Sequence, residues 1–398
     1  MDTTRQSRQA HKAQAQEELA LEILDLPDGS EATSNRWSWI GQKLLQWQRS
    51  LHPRSWRLIG AGFTLLLALV ASLVIFSSLR PVTASLLMAT HPVAASVSSD
   101  TTNDDQHPLK VYRGHVGAVL NVAWSPDGTR LAAGGQDATI QIWDAHTGKL
   151  LMIYRGHSNE VLGMAWSPDG TRIASVSRDA TAQVWDVRTG RQLFIYRNQN
   201  SFGAVYSVAW SPDSTRIVFG EGDGLTQVWD VITGKHVLTY NPMNSRAVLS
   251  VAWSPDGTRI ASTSDATMVQ VWDATTGKHL LTYEGHNDLV SDVMWSPNNL
   301  VIASASFDAT MQIWNARTGK VVFIYYGHTN FVYCLAWSPD GRILVSGSKD
   351  GSIQLWHTYL GQRIVTFLGQ ANSVAWSPYG TLFATGGSDG LVKLWPVV

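Results

Sequence analysis

The 398-residue chain has a single cysteine, Cys334. One thiol makes no internal disulfide and no cysteine-based zinc or iron–sulfur site. Charge is also scarce, at 15% of residues, where an ordinary soluble domain carries about 25%. Thirty Lys+Arg and 31 Asp+Glu cancel to a net charge of −1. That balance excludes a generally basic nucleic-acid binder, and the 44% hydrophobic content excludes an acidic disordered chain. No Gly-rich phosphate loop, metal-spaced His cluster or isolated Cys/His pair occurs. The sequence therefore predicts a protein that is not an enzyme and that holds no cofactor and no metal.

Tryptophan, by contrast, is abundant: 18 Trp against 11 Tyr and 10 Phe. Trp-Ser-Pro recurs at Trp124, Trp166, Trp210, Trp253, Trp295, Trp337 and Trp376, at intervals of 42, 44, 43, 42, 42 and 39 residues. A second series follows at Trp143, Trp185, Trp229, Trp272, Trp314, Trp356 and Trp395. Each unit reads as four short strands. In the second, Val161–Trp166 is apolar without helix caps, and Ser167-Pro168-Asp169-Gly170 has the order of a type I turn. Arg172–Ser177, Thr181–Trp185 and Gln192–Tyr196 follow, separated by Arg178-Asp179 and by Thr189-Gly190. Four strands every 40–45 residues or so is the pattern of a β-propeller blade.

These residues resemble the WD-repeat (WD40) β-propeller family over about 109–398. Trp-Asp stands at Trp143, Trp185, Trp229 and Trp272 and weakens to Trp314-Asn315, Trp356-His357 and Trp395-Pro396. Gly-His stands at Gly114-His115, Gly156-His157, Gly285-His286 and Gly327-His328. A turn aspartate recurs as Asp137, Asp179, Asp223, Asp308, Asp350 and Asp389, with Asp265 one place earlier in the fourth unit. Near-identical Trp-Ser-Pro-Asp-Gly-Thr-Arg strings at 124, 166 and 253 suggest recent duplication, which points to a bacterial-type member. The TolB-like periplasmic propellers share the turns but lack the Trp-Asp and Gly-His pairs. The resemblance implies an all-β, seven-bladed propeller. It also implies blade-internal networks of His, hydroxyl, Asp and Trp: His157/Ser177/Asp179/Trp185, His286/Ser306/Asp308/Trp314 and His328/Ser348/Asp350/Trp356. In the first unit Gly135 takes the hydroxyl position expected on this alignment. A His-Ser-Asp set repeated evenly round a ring satisfies buried polar groups; a hydrolase needs one activated serine beside an oxyanion site.

The phase of the repeat bears on closure. Leu109–Arg113 matches the fourth-strand segments Leu150–Tyr154 and Leu193–Arg197, while the last unit stops just after its third strand. Residues 109–113 are therefore expected to complete the last blade and remove an open sheet edge.

Ahead of the propeller the chain changes character. Residues 58–79 carry no charge and no proline. As a helix they would extend about 33 Å, enough to cross a bilayer core of about 30 Å. Lys43, Arg49, Arg54 and Arg57 precede this segment and only Arg80 follows closely. The positive-inside rule then places residues 1–57 in the cytoplasm and the propeller outside, making the protein a single-pass cell-membrane protein. Trp37, Trp39, Trp47 and Trp56 crowd the approach to the span, as interfacial indoles do. Residues 1–35 are polar, either disordered or a short docking helix. Residues 80–108 form a Ser/Thr-rich linker with an r.m.s. reach of about 30 Å.

The expected function is a membrane-tethered interaction scaffold. Its partners would be proteins or peptides, with the bilayer contacted through 58–79 and no nucleic acid bound. The family resemblance implies binding on the face of the fourth-to-first and second-to-third strand loops. There the units differ from one another, and Arg178, Phe307, Lys349, Phe331 and Tyr333 are the candidate contact residues. The alternative for the aromatics is loop packing, with Tyr333 lining the central funnel. A second functional reading is an envelope or sensory propeller taking a small ligand or glycan in that funnel, on Asn121, Ser207, Ser250, Asp292 and Ser373. A third is a purely structural assembly component.

Overall fold

The computed structural model describes residues 107–199, 203–241, 247–264 and 267–397. Residues 1–106 lie outside it, and with them the expected span 58–79, its tryptophans and most of the linker; Asp265 also lies outside. Among the described residues no helix is long and apolar enough to cross a membrane.

The described residues form seven four-stranded antiparallel sheets and nothing else regular. Blade 1 runs Val119–Trp124, Arg130–Gly135, Ile140–Asp144 and Leu150–Tyr154 from the centre outward. The innermost strands of the next six begin at Val161, Val205, Val251, Val290, Val332 and Ser373. Each innermost strand lies beside that of the neighbouring blade, and the seventh returns to the first, so the fold is an all-β, seven-bladed propeller. The second strands are buried almost throughout, as in Arg172–Ser177, while the outermost strands are largely open. The Ser-Pro-Asp-Gly turn works as its order implies: Gly170 N–H bonds to the Ser167 carbonyl at 2.8 Å and Gly170 adopts φ +70°, where a Cβ is disfavoured.

The two tryptophan series do different work between blades. Five indoles of the first series reach back to the preceding blade's innermost strand, while Trp253 donates to Gly257 O in its own turn and Trp124 Nε1 has no partner among the described residues. Trp166 donates to Ala123 O at 3.2 Å, Trp210 to Ala165 O at 3.0 Å, and Trp376 to Ala336 O at 3.0 Å. Arg172, Arg216 and Arg259 each lie over the first-series tryptophan of the following blade, at 5.1, 5.1 and 4.5 Å from the ring centroid. Four indoles of the second series, Trp185, Trp272, Trp314 and Trp395, are the largest fully buried side chains among the described residues, and Trp229 is half-buried. Each indole of the series meets an aromatic ring from the outer strand of the preceding blade. Tyr154–Trp185, Tyr240–Trp272 and Tyr283–Trp314 are stacked at 4.6, 4.8 and 4.7 Å. Tyr196–Trp229, Tyr325–Trp356 and Phe367–Trp395 are tilted or edge-on at 5.4, 5.0 and 5.3 Å.

The seventh such contact, Tyr112–Trp143 at 5.5 Å, comes from the start of the chain. Lys110–Tyr112 pairs antiparallel with Val392–Pro396 as the outer strand of the last blade, and Leu109 N–H adds a 2.8 Å bond to Leu394 O. Tyr112 thus occupies between blades 7 and 1 the place that Tyr154 holds between blades 1 and 2. Tyr112→Ala is expected to cost about 3 kcal/mol, the range for a large buried aromatic. Thermal unfolding should show a clear drop in Tm, whereas Tyr326→Ala, at a residue 76% exposed, should leave Tm nearly unchanged; equal losses would mean that closure does not depend on this strand.

Candidate functional site

The loops entering blades 1, 2, 5 and 6 are fastened to the turn between the second and third strands of the same blade. His157 Nδ1 lies 2.9 Å from Asp179, His286 2.9 Å from Asp308 and His328 2.9 Å from Asp350. His115 and Asp137 are joined at 3.0 Å. The same carboxylates accept the next backbone N–H, as from Ser158 at 2.9 Å and Thr329 at 3.0 Å. Burial opposes ionisation of Asp179, but its bonds from His157, Thr181 and Ser158 hold the carboxyl below the usual carboxylate range. Burial also holds the His328 imidazole below its ordinary value, against the pull of Asp350. A neutral ring that donates from Nδ1 to a carboxylate leaves Nε2 as an acceptor.

The acceptor nitrogen meets a different serine from the one expected. His157, His286 and His328 Nε2 bond to Ser175, Ser304 and Ser346 at 2.8, 2.7 and 2.8 Å. The expected Ser177, Ser306 and Ser348 sit at the strand ends instead. There they accept the N–H of Asp179, Asp308 and Asp350 and donate to loop carbonyls of Asn159, Asp288 and Asn330. The two serines of each pair are two residues apart and share one face of the strand, so alternation cannot separate them; depth along the ladder does. The corrected position in blade 1 is Ala133, not Gly135, and His115 Nε2 is a buried nitrogen without a partner among the described residues. Trp356 Nε1 closes its network on Ser346 at 3.1 Å. Trp185 and Trp314 Nε1 find no partner among the described residues, so one indole of the three joins its network, and it does so through Ser346 rather than the expected Ser348.

Blade 3 has no Gly-His pair, and its answer was not legible in the sequence. Glu221, 0% exposed, takes bonds from Asn198 Nδ2 at 3.0 Å and Gln227 Nε2 at 2.7 Å. Burial pushes its carboxyl above the ordinary value.

Of the five candidate contact residues the structure brings four together. Phe307 and Phe331 stack at 4.4 Å, Tyr333 meets Phe307 edge-on at 5.9 Å, and Lys349 Nζ lies 4.8 Å over the Phe331 ring. The three aromatics are half-buried and Lys349 is exposed. Arg178 belongs to blade 2 and pairs with Glu160 at 3.0 Å. Tyr326, 76% exposed, and Leu368, 84% exposed, were not singled out from the sequence. The signal was present: both follow the outer-strand aromatic, where other units carry Arg113, Arg155 and Arg197.

The proposed funnel residues form a belt between blades. An inner-strand bulge at this level, as between Val205 and Ser207, turns one side chain toward the next blade. Ser373 accepts Val122 N–H at 3.2 Å, Ser207 accepts Val251 N–H at 3.1 Å, and Ser250 accepts Val293 N–H at 3.3 Å. Asp292 accepts Leu335 N–H at 3.0 Å and the Ser250 hydroxyl at 2.8 Å, joining blades 4, 5 and 6. Burial pushes its carboxyl up to about 6 against these bonds. Asn121 alone keeps a buried oxygen without a partner among the described residues. Cys334 occupies the same level in blade 6, buried, with its thiol pushed up by desolvation first and by Asp292 second.

Sequence profiles agree with this architecture. The WD domain, G-beta repeat, matches residues 106–144, 148–186 and 361–396, and the profile of the IFT122 first beta-propeller matches 204–372. The chain carries WD40 repeats. Similar proteins include eukaryotic translation initiation factor 3 subunit I of Phaeosphaeria nodorum, 46% identical over 59 residues, which is 14% of this chain and 18% of that protein. Ribosome biogenesis protein erb1 of Botryotinia fuckeliana is 49% identical over 41 residues, 10% of this chain and 5% of its own length. APC/C activator protein CDC20 of Saccharomyces cerevisiae is 33% identical over 61 residues, 15% and 10%. These matches are to fungal proteins and span under one fifth of each relative. They support the propeller and give no support to a bacterial-type, membrane-anchored member.

Two outcomes follow for the WD40 propeller. Ser346→Ala leaves His328 Nε2 and Trp356 Nε1 without their common partner and should cost about 2 kcal/mol or more; chemical denaturation should show a smaller loss for Ser348→Ala, and the reverse order would restore the outer serine. Asp292 titrates in the native ring near 6 and in the unfolded chain near 4. The native state thus holds more protons between these values, and stability contributed by Asp292 falls as pH rises through that window. Relative to Asp292→Asn, the native protein should gain Tm as pH drops from about 6 to about 4; parallel curves for the two proteins would rule this out.

Proposed function

We propose that the chain is a non-catalytic, membrane-tethered scaffold whose WD40 propeller offers the face around Phe307, Phe331, Tyr333 and Lys349 to a protein or peptide. The observation that carries the reading is the aromatic–cation cluster itself. Three rings and an ammonium from blades 5 and 6 sit at the mouths of adjoining loops, and each keeps open surface. Aromatic residues with a neighbouring cation supply area at low conformational cost and form interface hot spots. Tyr326 and Leu368 add exposed apolar surface to the same face, at the outer-strand ends of blades 5 and 6. Similarity to an initiation-factor subunit and to an APC/C activator fits a part that works inside assemblies.

The funnel-ligand reading draws less support. Four of its five residues are engaged in holding neighbouring blades together, so a ligand would have to compete with the belt. Membrane tethering rests on the uncharged stretch 58–79 and its flanking charges. On that basis residues 1–57 are cytoplasmic and the propeller exocytoplasmic. Alkaline extraction of membranes tests the tether: the full chain should stay in the pellet.

Affinity capture with the full chain tests the face. The combined variant Phe307→Ala, Phe331→Ala, Lys349→Ala should lose its partners by about tenfold or more, as removal of a hot spot does. Arg178→Ala should retain them. Full retention by the combined variant would move the binding face elsewhere on the ring.

A further inference from the structure

We propose that the opposite face of the propeller, formed by the turns between third and fourth strands, docks on an anionic lipid surface. The inference rests on the membrane-tethered reading and adds which side of the ring meets the bilayer.

The chain enters the ring on this face. Lys110 Nζ bonds to the carbonyls of Ala145 and His146, in the third-to-fourth-strand turn of blade 1, and Tyr112 OH donates to Ala145 O at 3.0 Å. Leu109, just ahead, is 63% exposed. Residues 107–109 therefore join the ring beside these turns. The loops that carry His157, His286 and His328 lie at the other end of the same strands.

The turns carry cations in register. Lys149, Arg191, Lys235, Lys278 and Lys320 stand at or just before the start of the outer strand in blades 1 to 5, and all are exposed. Among the described residues Lys149, Arg191, Lys235 and Lys278 take part in none of the ion pairs. Arg188 and Arg317 add charge at the turn tips. Together these outnumber the four turn aspartates, Asp144, Asp186, Asp230 and Asp273, each of which accepts its own turn's N–H groups on Oδ1. The remaining turns of this face balance Asp against Arg, as in Asp169–Arg172 at 3.0 Å. On the opposite face Asp137, Asp179, Asp223, Asp308, Asp350 and Asp389, with Glu160, Glu284 and Asp288, outnumber Arg113, Arg155, Arg178, Arg197 and Lys349. A protein of net charge −1 is thus polarised across the ring.

Between the cations stand open apolar tips. Ile232 is 65% exposed and Tyr359 and Leu360 are each 60% exposed, at the turns of blades 3 and 6. Basic side chains attracted to anionic headgroups, with apolar tips between them, are the composition of an interfacial binding surface. The attraction acts within a Debye length, about 8 Å at physiological salt, so a tether of about 30 Å reach brings this face to the bilayer often and the charges themselves must hold it there. Docking this way leaves the aromatic–cation face turned from the lipid.

The test uses the full chain in nanodiscs of phosphatidylcholine with or without phosphatidylglycerol, read by amide hydrogen exchange. Phosphatidylglycerol should slow exchange in the turns around Lys149, Arg191 and Lys235 and leave the loops around His157 and His286 unchanged. The combined variant Lys149→Glu, Arg191→Glu, Lys235→Glu, Lys278→Glu should lose the slowing while keeping its Tm. It should also bind phosphatidylglycerol vesicles about tenfold or more weakly in co-sedimentation, because each basic residue contributes separately. Ile232→Ser should weaken vesicle binding without changing its salt dependence. An embedded chain with no lipid dependence, or with slowing on the histidine-loop face, overturns the proposal. Slowing by oligoglutamate but not by phosphatidylglycerol assigns the face to an acidic protein and also overturns it. A chain that fails to embed removes the tethered reading alone; vesicle co-sedimentation then decides, and binding that is absent or indifferent to the four glutamates overturns the docking face.

Discussion

An aromatic ring on the outer strand of each blade rests on the third-strand tryptophan of the next, and this contact makes seven sheets into one object. A four-stranded antiparallel sheet has two faces, and neither can be buried without a neighbour. Here the neighbour is supplied at three depths. Near the axis, side chains such as Ser207, Ser250 and Asp292 cap backbone N–H groups that an inner edge strand would leave unpaired. Further out, Trp166 and four of its counterparts donate across the gap to a carbonyl of the preceding blade. At the rim, Tyr154–Trp185 and its six equivalents bring two large rings together at each junction. Polar bonds fix the register at the first two depths, and dispersion and burial supply most of the holding energy at the third.

The architecture was largely legible because it is periodic. Tryptophans at fixed spacing, turn residues between short apolar runs and the phase of Leu109–Arg113 specify blade count, strand order and the pairing of the two ends of the ring. What failed to show was anything that depends on depth within a repeat or on contact between repeats. Ser175 and Ser177 share a strand face, and only the ladder reveals that the former reaches His157 while the latter caps the turn. The partners of Ser250 and Asp292 lie some forty residues away in the next blade, beyond any local pattern. Blade 3 replaces the histidine with an amide–carboxylate cluster around Glu221, chemistry that no repeat alignment would supply.

The candidate face shows the same division. Phe307, Phe331, Tyr333 and Lys349 could be named because they break the repeat at positions where the blades are free to differ. Arg178 satisfied that criterion equally well, but it lies on another blade and is paired with Glu160. Variation marks where a repeat protein can afford specificity; adjacency decides which variations act together. Tyr326 and Leu368 follow the same rule from the other side, being exposed apolar residues at a position that elsewhere holds arginine.

The closing strand has a mechanical consequence. Six of the blade junctions are built from strands continuous with both neighbours, whereas the junction of blades 7 and 1 relies on Lys110–Tyr112, three residues whose chain leads directly out of the ring. Tension arriving through the preceding segment is delivered first to this strand. It would be borne by the Leu109 and Lys110 contacts with Leu394 and the blade-1 turn, and then by the Tyr112–Trp143 pair. The ring is thus strongest where load is shared and weakest where its leash is tied, so a pull on that leash would open the propeller at its clasp before it disturbed any complete blade.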